Sequence, residues 1–198
     1  MVETAGSDIK EDVLKQSYQK AFATSSRMAS IGNYDEAIVP LLALYQHNQK
    51  NYMVTVRLGY LYNLKRDFDA SVRYYKQAAK IKPDAVEPLL GLLFPLINQT
   101  AYREVITAGA AVLRLDPGNS TAMSKTAYAY YMLAEYENAA RYYQKVLRMY
   151  PTDITMRNGL AWSYLEAGRK ELAKQEFQKV LMISPYNQSA LLGYNECK

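Results

Sequence analysis

At 198 residues, with 49% of them hydrophobic and a formal net charge of +5, the chain has enough apolar surface for one or two domains, which excludes a disordered polymer. One histidine and one cysteine exclude a multi-histidine metal centre and an internal disulfide framework. The longest nearly apolar run, Leu89 to Ile97, contains Gly91 and Pro95 and falls far short of the roughly 18 residues that a membrane-spanning helix needs.

The first ten residues lack a basic segment followed by an apolar one, and neither end carries a lipidation signal. A cytoplasmic location is therefore the expectation, although an exported mature chain or an excised domain would start the same way. The spacing then predicts a long helix from Asp8 to Ile31, with Ser7 as its N-cap and Asp8, Glu11 and Asp12 near its positive end. Gly32, Asn33 and Tyr34 form a turn, and Ala37, Leu41 and Leu44 mark a second helix in which Pro40 is expected to act as a kink.

From Tyr52 onward the pattern repeats. Pro83, Pro117, Pro151 and Pro185 recur every 34 residues, and each stretch between them reads as two helices and a stop. Gly59, Ala127 and Ala161 hold one register, where a small residue lets helices approach closely; Tyr62, Tyr130 and Tyr164 hold another and are expected to fill space between neighbouring pairs. The unit from Val86 departs most: Leu93 replaces the small residue, Gly109 the aromatic, and Pro95 should bend its first helix. Asp84, Ser120, Asp153 and Asn187 are the predicted N-caps of successive first helices. The segment after Asn187 has the phase of one more first helix, which would close the array.

This pattern resembles the tetratricopeptide-repeat (TPR) family, in units at about 18–51, 52–85, 86–119, 120–153 and 154–187, flanked by a helical extension at 8–17 and a closing helix at 188–198. The resemblance implies an all-α fold: a single α-solenoid domain, a right-handed superhelix of five helix pairs plus a C-terminal capping helix. First helices would line a concave groove and second helices the convex side. Members of the family mostly bind proteins or peptides.

On that geometry the ninth residue of each unit faces the groove: Ser26, Tyr60, Phe94, Tyr128 and Trp162, then Glu196. Helical neighbours three or four residues away join them. The implied peptide-binding set is Tyr60, Asn63, Leu90, Phe94, Ile97, Asn98, Tyr128, Tyr131, Asn158, Trp162 and Leu165, with Met53, Val56, Ser124, Met132 and Glu166 around it. Aromatic and methionine side chains suit an apolar or amphipathic segment, and asparagine pairs with peptide amides. The residues at the fifth and ninth positions lack the lysine, arginine and asparagine pattern of family members that clamp a terminal carboxylate.

The remaining residues argue for binding rather than catalysis. His47 reads as a surface residue, and Cys197 reads as a residue near a fraying end with no activating neighbour, open to an intermolecular bridge. No phosphate-binding glycine loop occurs, and no cofactor is implied. Arg73, Lys76, Lys80, Arg114, Arg141, Lys145, Arg148, Lys174 and Lys179 fall on second helices, away from the aromatics, which argues against nucleic acid as partner. The expected role is a non-enzymatic interaction scaffold. The alternatives are a homo-oligomeric assembly module joined through Leu191 and Leu192, and the regulatory arm of a larger enzyme.

Overall fold

The computed structural model describes the backbone of residues 2–198 and the side chains of 14–198. Among the described residues there are eleven helices and no strand. The chain divides into two compact units, Met1–Pro95 and Leu96–Lys198. The first contains α1 (Val2–Ser30), α2 (Tyr34–His47), α3 (Tyr52–Lys65), α4 (Phe68–Ile81) and α5 (Val86–Asn98) as far as Pro95. The second contains the end of α5, then α6 (Tyr102–Leu115), α7 (Ser120–Met132), α8 (Tyr136–Met149), α9 (Ile154–Glu166), α10 (Lys170–Ile183) and α11 (Gln188–Glu196).

Helix α1 starts well before the expected Asp8; Ser7, Asp8, Glu11 and Asp12 carry side chains outside the described residues. Neither Pro40 in α2 nor Pro95 in α5 interrupts its helix. Within each unit consecutive helices pack on one another: α1 on α2, α2 on α3 and α3 on α4, then α6 on α7 and onward to α11, which also meets α9. The result is a helical-repeat solenoid with a separate core in each unit. Ala21, Ile38, Leu41, Leu44, Val54 and Leu58 centre the first. Ala139, Tyr143, Leu160, Ala173, Phe177 and Val180 centre the second.

Local chemistry sets the helix ends. The backbone N–H groups of Glu36, Val54, Ala70, Ala122, Met156 and Ala190 donate to the side-chain oxygens of Asn33, Asn51, Asp67, Asn119, Asp153 and Asn187. The cap of α7 is thus Asn119, one position before the predicted Ser120, which is already the first helical residue. Every turn between paired helices contains a residue at positive φ: Gly32, Arg66, Thr100, Ala134 and Gly168, between 57° and 77°. The amide that follows each one returns to a carbonyl five residues earlier, as Asp67 does to Tyr62 at 2.9 Å and Arg169 to Tyr164 at 2.8 Å. Only two of these five places hold the glycine that the conformation favours.

Aromatic rings join one repeat to the next. A Cβ placed on Gly91 would stand 2.5 Å from the Tyr75 ring, on Gly159 2.6 Å from Tyr143, and on Gly193 2.6 Å from Cε2 of Phe177. Each ring on a second helix therefore abuts the bare backbone of the following first helix. In the third repeat the ring is absent: Gly109 replaces it, and Thr126 of α7 closes onto that glycine instead. The tyrosines expected to bridge repeats act differently. Tyr62 stacks on Tyr74 and Tyr130 on Tyr142, with centroids 5.3 and 5.6 Å apart, inside their own helix pairs. Tyr164 reaches the preceding pair, accepting from Gln144 Nε2 of α8.

Candidate functional site

The first unit holds a cleft of about 870 Å³ between α3 and α5, with Tyr75 of α4 and Phe22 of α1 also on its wall. It brings together four predicted residues, Tyr60, Asn63, Leu90 and Phe94, and adds Met53 and the buried Val56. Tyr60 and Phe94 are 42% and 38% exposed, too open to be spacers between packed helices. The open backbone of Gly91 lets Tyr75 form part of the wall.

Polar groups stand among these apolar ones. The Tyr52 hydroxyl donates to Glu87 Oε2 at 3.1 Å; burial first, then this carboxylate, pushes the phenol up to about 12. The Arg57 guanidinium lies 5.1 Å from the Tyr60 ring centroid, so one cation does stand among the aromatics, which the sequence reading had kept apart. Arg57 Nε and Asn63 Oδ1 are buried, and among the described residues no group hydrogen-bonds to either.

The second unit has a smaller cup, about 310 Å³, lined by Tyr128 and Tyr131 of α7, Tyr143 of α8, and Gly159 and Trp162 of α9. Tyr128 is 39% exposed and packs edge-on against Tyr102 at 6.1 Å. Trp162 is half-buried: its ring meets Phe177 at 5.4 Å and its Nε1 donates to Ser189 Oγ at 2.9 Å. Asn158 Nδ2 donates to the same oxygen, and Leu165 packs on the core. Ile97, half-buried, and Asn98, exposed, line neither cleft, nor do Asn158 and Leu165.

The sequence reading missed Tyr52, Arg57 and Glu87 as cleft residues, and it missed the pairing of Tyr75 with Gly91 and Tyr143 with Gly159. The signal was present: rings at 75, 143 and 177 are each followed, 16 residues later, by glycine. Elsewhere His47 is exposed, whereas Cys197 is buried, its thiol hydrogen-bonded to the Gly193 carbonyl at 3.2 Å and pushed up by burial. That burial removes Cys197 as a ready intermolecular bridge. Of the second-helix cations, Arg73, Lys76, Lys80, Arg114, Arg141, Lys145, Arg148 and Lys179 are exposed and Lys174 is intermediate. Among the described residues no His, Cys, Asp and Glu cluster suits a metal ion, and no helix is long and apolar enough to cross a membrane.

Three family models, each described as tetratricopeptide repeat, match residues 56–85, 100–154 and 134–192. The chain belongs to the tetratricopeptide-repeat family. TPR repeats are in general non-catalytic, and the chain is a protein-interaction scaffold in that broad sense. Solved structures agree on the TPR fold. MamA 41-end from Desulfovibrio magneticus RS-1 is 17% identical with a TM-score of 0.80, covering 87% of this chain and 97% of its own. A tetratricopeptide repeat protein from Parabacteroides merdae is 17% identical with a TM-score of 0.82, covering 92% and 72%. YrrB, described as a TPR protein with an unusual peptide-binding site, is 12% identical with a TM-score of 0.79, covering 88% and 90%. No curated protein sequence matches the chain.

Proposed function

We propose that this TPR protein is a non-enzymatic scaffold that holds an apolar or amphipathic segment of a protein partner against its first-helix aromatics. Tyr60, Asn63, Leu90 and Phe94 supply contacts in the first unit, Tyr128, Tyr131, Asn158, Trp162 and Leu165 in the second, and Ile97 and Asn98 at the end of α5. The repeat boundaries at 52, 86, 120 and 154 belong to the same reading. One observation carries it: the exposed rings of Tyr60 and Phe94, with Met53 and Leu90, line an open cleft of about 870 Å³ between two first helices, α3 and α5. The peptide-binding site stated for YrrB, a protein of the same fold, is consistent with this use.

The test is affinity capture from an extract of the source cell, comparing the wild-type chain with a Tyr60→Ser, Phe94→Ser variant whose helical circular dichroism is unchanged. Retention by the wild type and loss by the variant is expected; equal retention contradicts the reading. A second reading is self-association, favoured by the exposed Met182, Tyr186 and Leu192 (82%, 86% and 58%) toward the C-terminal end. It requires a mass that rises with concentration in sedimentation.

A further inference from the structure

The second-unit cup differs in chemistry from the first-unit cleft, although both are built on one framework. Tyr128, Tyr143, Gly159 and Trp162 repeat the register of Tyr60, Tyr75, Gly91 and Phe94, 68 residues on. In the first unit Arg57 and Glu87 form part of the wall. The cup is lined by three tyrosines, a tryptophan and a glycine; none of these residues is basic, and Lys125, at the register of Arg57, is not among them.

We infer that this aromatic cup is a receptor for one cationic side chain, the guanidinium or ammonium group of an arginine or lysine carried by the protein partner. Aromatic faces carry negative π density, and several rings converging on one cavity are the arrangement that stabilises a cation through its quadrupole fields. The chain supplies its own precedent, since the Tyr60 ring, at the same register as Tyr128, already receives the Arg57 guanidinium at 5.1 Å. Size agrees: about 310 Å³ is roughly ten times the 30 Å³ share of one water, enough for a single long side chain and too small for a helix.

The rings are held apart, so the cup does not depend on a ligand to open. Tyr128 is braced by Tyr102, Tyr131 by Tyr136 at 5.5 Å, and Trp162 by Phe177 and by its hydrogen bond to Ser189; none of these partners lines the cavity. Gly159 presents bare backbone to Tyr143 and keeps that ring seated. Burial first, and then the carboxylates of Glu166 and Glu196, raises the Tyr131 phenol, which places two exposed anions within electrostatic reach of the cup.

This inference rests on the reading of first-helix aromatics as a binding face, and its test separates the two. Trp162 is the only tryptophan in the chain, so its emission reports on the cup directly. The protein is titrated with N-acetyl-arginine amide and with N-acetyl-citrulline amide, which has the same outline without the charge, at low and matched ionic strength. The arginine probe is expected to give a saturable change and to bind about fivefold or more tighter than the citrulline probe. A Glu166→Gln, Glu196→Gln variant, altered only at exposed positions, should weaken the arginine probe about two- to fivefold and leave the citrulline probe unchanged. Equal affinity for the two probes overturns the cationic occupant while leaving the aromatic face a binding surface. Absence of a saturable response to the arginine probe also overturns it, whatever segment the first-unit cleft retains.

Discussion

Replacing Gly193 with alanine tests whether the ring-on-glycine contacts join the repeats. The new Cβ would stand 2.6 and 2.7 Å from Cε2 and Cε1 of Phe177. Cζ of Phe177 would be nearer still, and carbon atoms in contact rest at about 3.5 Å or more, so the ring or α11 must retreat by more than about 1 Å. Phe177 has nowhere to go: it is 0% exposed and meets Trp162 on the cup side. Over-packing of this kind costs about 1–3 kcal/mol, and the severity of the approach puts it at the upper end. Alanine gains about 1 kcal/mol over glycine in a helix, so the net loss is about 2 kcal/mol. For a chain of this size that lowers the unfolding midpoint by about 4–8 °C. Thermal and urea unfolding followed by helical circular dichroism and by Trp162 emission would measure it. A neutral or stabilising Gly193→Ala refutes the reasoning.

Three further outcomes follow from particular groups. Asn119→Ala should cost about 1 kcal/mol in urea unfolding, because it removes the acceptor at the start of α7, whereas Ser120→Ala should cost much less. Thr100→Gly should stabilise by about 0.5–1 kcal/mol, since a β-branched residue at φ 57° carries a strain that glycine avoids and that outweighs glycine's entropy cost. Burial, with smaller contributions from Glu87 for Tyr52 and from neighbouring tyrosines for Tyr74, pushes both phenols up to about 12, and burial raises Tyr75 and Tyr143 as well. A raised phenol keeps its proton longer in the folded chain than in the unfolded one. The stability it lends is therefore whole below the unfolded value near 10 and is lost as pH climbs through about 12. The urea midpoint should fall between about pH 10 and 12, and tyrosinate absorbance should rise with a late component; a flat midpoint over that range contradicts the assignment.

The repeat period, the helix pairs and the closing helix were legible because proline, small residues and aromatics recur in one phase, and a helix-turn-helix unit leaves that imprint directly on sequence. The turns were legible in every repeat from its period, but their left-handed residue only where it is glycine, at Gly32 and Gly168; Arg66, Thr100 and Ala134 take the same conformation without that mark. The aromatics at 60, 94 and 128 are exposed, as their register implied, but Trp162 is half-claimed by Phe177 and Ser189, groups far away in sequence. Tyr75 and Tyr143 were hidden as wall residues because each depends on a glycine in the following repeat, a pairing visible only when two repeats are read together. Cys197 sits near the end of the sequence yet is buried, because α11 docks on α9 and α10.

Hydrogen–deuterium exchange of the chain with and without its captured partner tests the central claim most directly. The account predicts new protection on the first helices, at Tyr60 and Asn63 of α3, Leu90 and Phe94 of α5, and Tyr128 and Trp162 of α7 and α9, with α4, α6, α8 and α10 unchanged. Protection confined to those second helices would contradict it and would move binding to their basic side chains, Arg73 in the first unit and Arg141 and Lys145 in the second.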